Sequence, residues 1–175
     1  MLENNKRLKN EILRLGGDIV RSDRFQKAWT IDHHIRYNVA VHSLEAACYA
    51  LRIARWLKRR GIKVNEEDVV RAALLHDIGM TEDRVSKSPS YVKAYTHPRA
   101  GYRIAKDEFS ANKVQLEAIR RHMWPICVLP PLHLTGWIVL TADKASASRE
   151  AKETAKLKAK SKLKRRGRKT AGDQK

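Results

Sequence analysis

The chain has 175 residues and a formal net charge of +18, from 37 Lys and Arg against 19 Asp and Glu. With 42% hydrophobic residues, that length favours one domain with a real core and excludes a wholly disordered chain; no run of 18 apolar residues is present to cross a membrane. A pI near 10.3 points to polyanionic partners, nucleic acid first, and the lack of an apolar signal core with only two cysteines, Cys48 and Cys127, makes a reducing cytoplasm the expected location.

Residues 3–15 predict a short amphipathic helix stopped by Gly16-Gly17. The expected organisation is an N-terminal helix over 1–19, a folded domain over 20–148 and a tail over 149–175. Leu44, Ala47, Cys48, Leu51 and Ala54 recur at helical spacing, and Gly61 ends that helix. Asn65 is a good N-cap for the next one, whose Glu66, Glu67 and Asp68 favour the positive end of the helix dipole. It runs from Val69 to Leu75 and reaches His76-Asp77, with Gly79 as a stop. Residues 81–95 read as a loop.

A further helix is predicted from Pro98, with His97 at its cap. Another starts near Asn112, where Gln115 completes a capping-box-like pair, and reaches His122; Pro125 prevents its continuation. Pro130-Pro131 opens the last core helix, which holds Trp137 to Leu140 and Asp143 and can run on into the tail. No alternating strand pattern occurs. The fold class is all-α, a compact helical bundle with a basic C-terminal tail. Residues 151–175 hold eight Lys and three Arg against Glu153 and Asp173, so half of the net charge sits in a seventh of the chain. That segment has too few apolar residues for a core, is helix-permissive to about Arg166, and should fray from Gly167 onward.

Polar residues fall where core is expected. His42 lies on an apolar helix, His76-Asp77 follows Ala-Ala-Leu-Leu, His122 follows Ile119 by about one turn, and Asp143 follows an apolar run. A buried carboxylate is costly unless it is paired or binds a metal. Neutral imidazole and carboxylate suit first-row divalent ions, and the absence of cysteine argues against a structural zinc site. Each residue alone also fits a plainer role: a hydrogen-bonded core histidine, a helix-terminal acceptor at Asp77, or an Asp143–Lys144 pair.

The segment Ala-Leu-Leu-His76-Asp77-Ile-Gly resembles the defining motif of the HD superfamily of metal-dependent phosphohydrolases. Val-Ala-Val-His42-Ser-Leu-Glu resembles the family's first ligand helix, and Leu-Thr-Ala-Asp143-Lys its closing ligand. Thr-His97-Pro-Arg-Ala-Gly and Ile-Arg-Arg-His122-Met-Trp-Pro resemble the two extra histidines of the two-metal branch. The similarity spans about residues 30–148 and extends to small, largely uncharacterised bacterial members with the same Arg-His-Met-Trp-Pro segment. Members that cleave cyclic dinucleotides often carry a lysine shortly after the doublet and a Gly-Tyr-Pro motif. Here Met80 follows Gly79 and Arg103 follows Gly101-Tyr102, so that specificity is not expected.

The resemblance implies an all-α fold in which His42, His76, Asp77 and Asp143 hold one divalent metal, and Asp77 bridges to a second held by His97 and His122. Mn, Fe, Ni, Co and Zn all accept such donors. Two ions about 3.5–4 Å apart can clamp a phosphoryl oxygen and activate a bridging hydroxide, which gives Asp77 a catalytic role. Lys144, directly after a ligand, is the preferred catalytic and substrate contact; His34, Arg99 and Arg121 are further candidates for phosphate. The expected function is hydrolysis of a nucleotide-type phosphate ester or diester. The alternatives are a nucleic-acid-binding protein anchored by the tail, a tethered ribonuclease as the overlap, or a metal-binding regulatory domain without turnover. Oligomeric state leaves no mark in the sequence.

Overall fold

The computed structural model describes residues 2–34 and 37–172, with side chains described for 6–32 and 37–159. Among the described residues the order is α1 (Leu2–Arg21), α2 (Asp23–Ala28), β1 (Asp32–His34), β2 (Tyr37–Asn38), α3 (Val39–Lys58), α4 (Glu66–Leu75), a 3-10 turn (Ile78–Thr81), α5 (Asp83–Ser86), α6 (Ser90–Phe109), α7 (Lys113–Arg121) and α8 (Leu134–Gly172). The fold is all-α, apart from a small antiparallel hairpin that pairs Asp32 with Asn38 and His34 with Tyr37. Strands this short carry no alternation to read in a sequence.

Helix α4 is the centre. Val69, Val70 and the run Ala72 to Leu75 are buried, so it is apolar on nearly every side, as a helix enclosed by others must be. Helices α1, α3, α7 and α8 pack around it. Small residues on α3, among them Ala46, Ala47, Ala50 and Ala54, let the backbones approach closely. Asn65 caps α4 by accepting from the backbone N–H groups of Glu67 and Asp68. Asn112 and Gln115 form a reciprocal capping box on α7, and both side chains also donate to Asp68, which ties the start of α7 to the start of α4.

Several expectations are corrected. Gly16-Gly17 does not stop the first helix: the chain bends at Gly16 (φ −147°, ψ 25°) and stays helical to Arg21. A Cβ at Gly16 would lie 2.4 Å from Leu74 Cδ1, so the bend sits where α1 presses on α4. Residues 81–95 are not a loop but contain α5 and the first turns of α6. Pro98 does not open α6; it lies inside it, and His97 is interior rather than a cap. The missing proline N–H is tolerated where side chains serve the neighbouring carbonyls: Thr96 Oγ1 donates to Val92 O and His97 Nδ1 to Lys93 O. The last helix starts at Leu134, three residues after Pro131, because Leu132 N–H is held by Glu117 Oε1 at 2.8 Å. It continues past Gly167 to Gly172, where fraying was expected. Trp124 and Trp137 form an edge-on pair 5.6 Å apart, with Trp137 40% exposed.

Gly79 fixes how the turn after α4 meets α6. A Cβ there would lie 2.1 Å from His97 O and 2.5 Å from Gly101 N, both backbone atoms of a packed helix. We expect Gly79→Ala to cost about 3 kcal/mol by forced displacement, read as a lower urea midpoint.

Candidate metal centre

Five helices and one turn bring the ionisable residues together. His42 is one turn into α3, whose start is capped by Asn38 accepting from Val41 N–H. His76 is the C-terminal cap of α4, and Asp77 begins the 3-10 turn. Consecutive helical residues diverge by about 100°, and it is the end of α4 at Leu75 that lets His76 and Asp77 face one centre. His97 comes from mid-α6, His122 caps the end of α7, and Asp143 lies on α8. All six are buried.

The donor atoms fall into two groups. One is His42, His76 and Asp143; the other is Asp77, His97 and His122. Asp77 faces both. Its Oδ1 lies 3.2 Å from His97 Nε2 and 3.5 Å from His122 Nε2, and its Oδ2 lies 3.4 Å from His76 Nε2 and 3.7 Å from His42 Nε2.

Backbone carbonyls set three of the tautomers. His76 Nδ1 donates to Ala73 O at 2.7 Å, His97 Nδ1 to Lys93 O at 2.6 Å, and His122 Nδ1 to Ile119 O at 2.7 Å. A carbonyl only accepts, so each Nδ1 carries a proton and each neutral ring presents an Nε2 lone pair inward. Two of these lone pairs, on His97 and His122, then oppose each other at 2.9 Å. His76 Nε2 is buried without a hydrogen-bond partner among the described residues. A buried lone pair with no donor to meet it, and two facing each other beside a carboxylate, are costly alone and favourable around a cation. The residues present therefore fit divalent metal.

The electrostatics agree. Burial opposes charge on His42, but hydrogen bonds to Asp143 and Glu150 outweigh it and push its pKa up to about 10. Burial pushes His76 down to about 4 against the pull of Asp77. Burial opposes protonation of His97 too, yet the hydrogen bond and charge of Asp77 raise it. Burial raises Asp143, and the hydrogen bond from His42 with the nearby imidazoles overcomes this and holds it well below the usual carboxylate range. Asp77, Asp143 and Glu150 thus create a demand for positive charge that a proton on His42 can meet.

Glu150 was not anticipated from the sequence. It is buried, and its Oε1 lies 2.8 Å from His42 Nδ1. His42 is therefore the one ligand-type histidine of the four whose Nδ1 faces a carboxylate instead of a carbonyl. The readable signal was the seven-residue step from Asp143, which puts both on one helix face. The surrounding turn is fastened: Arg149 reaches Glu45 at 3.4 Å and Glu153 at 3.0 Å, and Tyr37 hydrogen-bonds Glu153, which pushes the phenol up to about 12.

The centre opens into a cleft of about 320 Å³. Lys144 lines it, with Nζ 2.9 Å from Asp143 Oδ2. Asp32 and Lys93, not singled out from the sequence, line it as well. Arg99 and Arg121 instead line a neighbouring groove, where Arg121 donates to Pro130 O at 2.7 Å and pairs with Glu117 at 3.3 Å. His34 ends β1, but its side chain lies outside the described residues. The side chains from residue 160 onward also lie outside them, and with them most of the expected tail contacts.

A family model described as HD domain matches residues 39–148. Ribonuclease Y from two strains of Ureaplasma parvum serovar 3 is 34% identical over 112 residues, which is 64% of this chain and 20% of the relative. The chain thus spans about a fifth of the length of the curated relatives it matches. A solved structure of a conserved hypothetical protein from Pyrococcus furiosus superposes with a TM-score of 0.56 at 22% identity, covering 82% of this chain and 77% of that one; it shares the fold. Among the described residues no helix is long and apolar enough to cross a membrane.

Proposed function

This chain belongs to the HD-domain superfamily of metal-dependent phosphohydrolases, and from that premise we propose that it hydrolyses a phosphate ester or diester of nucleotide type. The observation that carries the reading is Asp77, whose two oxygens are divided between two sets of histidines. His42, His76 and Asp143 would hold one divalent ion, and His97 and His122 a second, with Asp77 shared. Bound cations there supply Lewis-acid charge for a phosphoryl oxygen and lower the pKa of water. The chain's own part is to aim the imidazoles, through carbonyl acceptors on Nδ1 of His76, His97 and His122 and through Glu150 on Nδ1 of His42, and to exclude water behind them by packing on α4. Lys144 stands at the cleft, where its ammonium can orient a phosphate oxygen.

The test is a panel of phosphatase and phosphodiesterase substrates run with Mn, Fe, Ni, Co or Zn added back to chelated protein. No turnover on any pair would move the weight to a metal-binding regulatory domain. We expect Lys144→Ala to keep its metal while kcat/KM falls by about 10- to 100-fold, the worth of one hydrogen bond to a charged group.

The name of the curated relatives favours RNA among nucleotide-type substrates. The continuity of α8 from Asp143 into the lysine-rich tail supports a second role, an electrostatic tether beside the cleft. Ending the chain after Ala159 removes eight basic residues. We expect oligonucleotide affinity to drop and the slope of log K against log salt to flatten, read by fluorescence anisotropy over a salt series. Equal slopes for the full and shortened chains would remove the tether.

A further inference from the structure

On the other side of α6 and α7 from the metal centre lies a groove of about 720 Å³, within the range of about 300–1,000 Å³ usual for ligand sites. The two spaces share those helices as walls. His97 faces the cleft and Pro98 the groove; His122 faces the cleft and Arg121 the groove. Tyr95, Pro98 and Tyr102, at helical spacings of three, four and seven, form the α6 wall.

The charges of the two spaces differ. In the groove, the one carboxylate, Glu117, is engaged by Arg121, by Leu132 N–H and by His133. That leaves Arg99, Lys113 and Arg120 as exposed cations with no acidic side chain between them. The cleft instead sets three carboxylates, Asp32, Asp77 and Asp143, against Lys93 and Lys144. Without metal, phosphates are therefore attracted more by the groove than by the cleft.

The remaining surface is apolar and planar. The Arg120 guanidinium lies 5.4 Å from the Tyr102 ring, and Tyr95 is half exposed. On the opposite wall Ile126, Val128 and Leu129 face outward, Val128 being 86% exposed. Aromatic and guanidinium faces beside aliphatic groups take up unstacked bases, and cations between them take the backbone. A duplex keeps its base faces covered, so it gains nothing from such walls. An acidic peptide would satisfy the cations but has less use for the planar faces.

We propose that this groove binds a single-stranded stretch of nucleic acid that continues from a scissile phosphate held in the metal cleft. The proposal rests on the phosphodiesterase reading above and narrows its substrate to chains longer than a mononucleotide. It makes Lys113 and Arg120 contacts to flanking phosphates, and Tyr95 and Tyr102 contacts to flanking bases.

The test uses the full chain in chelator, so binding is read without turnover. The probe is a single-stranded RNA of about eight nucleotides, within the span of known single-strand sites. Lys113 and Arg120 are exposed, so a Lys113→Glu, Arg120→Glu double variant leaves the core untouched. We expect its affinity to fall at least tenfold and its salt slope to shrink by about one for each phosphate no longer neutralised. Tyr95→Ala should weaken binding with little change in salt slope. Photocrosslinking of a 4-thiouridine-substituted RNA, mapped by mass spectrometry, should mark α6 or residues 126–129. Unchanged affinity in the variants, or crosslinks confined to residues 149–175, overturns the groove while leaving the hydrolase reading intact. Preferential binding of an acidic peptide over the RNA overturns it in favour of a protein partner. Failure of the hydrolase reading has a separate signature, no turnover of any substrate by protein whose metal content is confirmed.

Discussion

Asp77→Ala should remove metal from both halves of the centre and, with it, activity. Each Asp77 oxygen faces a different pair of histidines, so one truncation takes a donor from both. The variant leaves four imidazoles crowded together, with ring centroids of neighbouring pairs 4.9–5.3 Å apart, Asp143 among them and Glu150 behind His42. Two divalent charges would then meet too little negative charge to offset them. Metal-ion stabilisation of a phosphoryl transition state is worth several kcal/mol, and each 1.36 kcal/mol is tenfold, so kcat/KM should drop by about a thousandfold or more. Elemental analysis of purified Asp77→Ala is the direct check. Full metal content in that variant would falsify the shared-ligand assignment. Asp77→Asn, nearly isosteric but neutral, separates charge from shape and should retain metal poorly.

The second large effect is expected at a residue that touches no substrate. Glu150 should position His42. Its carboxylate accepts the Nδ1 proton and leaves Nε2, 3.0 Å from Asp143 Oδ1, as the coordinating atom. Loss of such partners typically costs 10–100-fold in metal affinity. We expect Glu150→Gln, which keeps an acceptor oxygen and loses the charge, near the lower end of that range, and Glu150→Ala near the upper. Competition with a coloured chelator measures the affinities. A purely structural role would lower the melting temperature of chelated and metal-loaded protein equally. A positioning role shrinks the difference between the two, with Glu150→Gln retaining more of it than Glu150→Ala.

Much of the centre was legible before the fold. His42, His76, Asp77, His97, His122 and Asp143 were each marked by a short segment, and all six converge. The capping residues Asn65 and Asn112 were equally readable, because a cap is satisfied within three residues. The start of α6 was not. Pro98 after His97 reads locally as a first helical residue, and only Thr96 and His97 donating backward, with α6 pressed on Gly79, show why the helix continues through it. Asp32 was missed because its strand is three residues long, and Lys93 because it lay in a segment read as loop.

The sequence by itself determined the family and the all-α class and marked the six residues that the fold gathers, since helical periodicity, caps and motif segments are properties of neighbours along the chain. Tertiary structure alone decided which Asp77 oxygen faces which histidines, that Glu150 stands behind His42, and that exposed cations gather in a groove apart from the acidic cleft. The physical reason is separation. His42 meets Asp143 and Glu150 across 101 and 108 residues, and no local pattern records a pairing made only when α8 closes on α3. The +18 charge shows the same division. Its magnitude was plain from composition, but the place where it meets phosphate depends on which helix faces the fold leaves open.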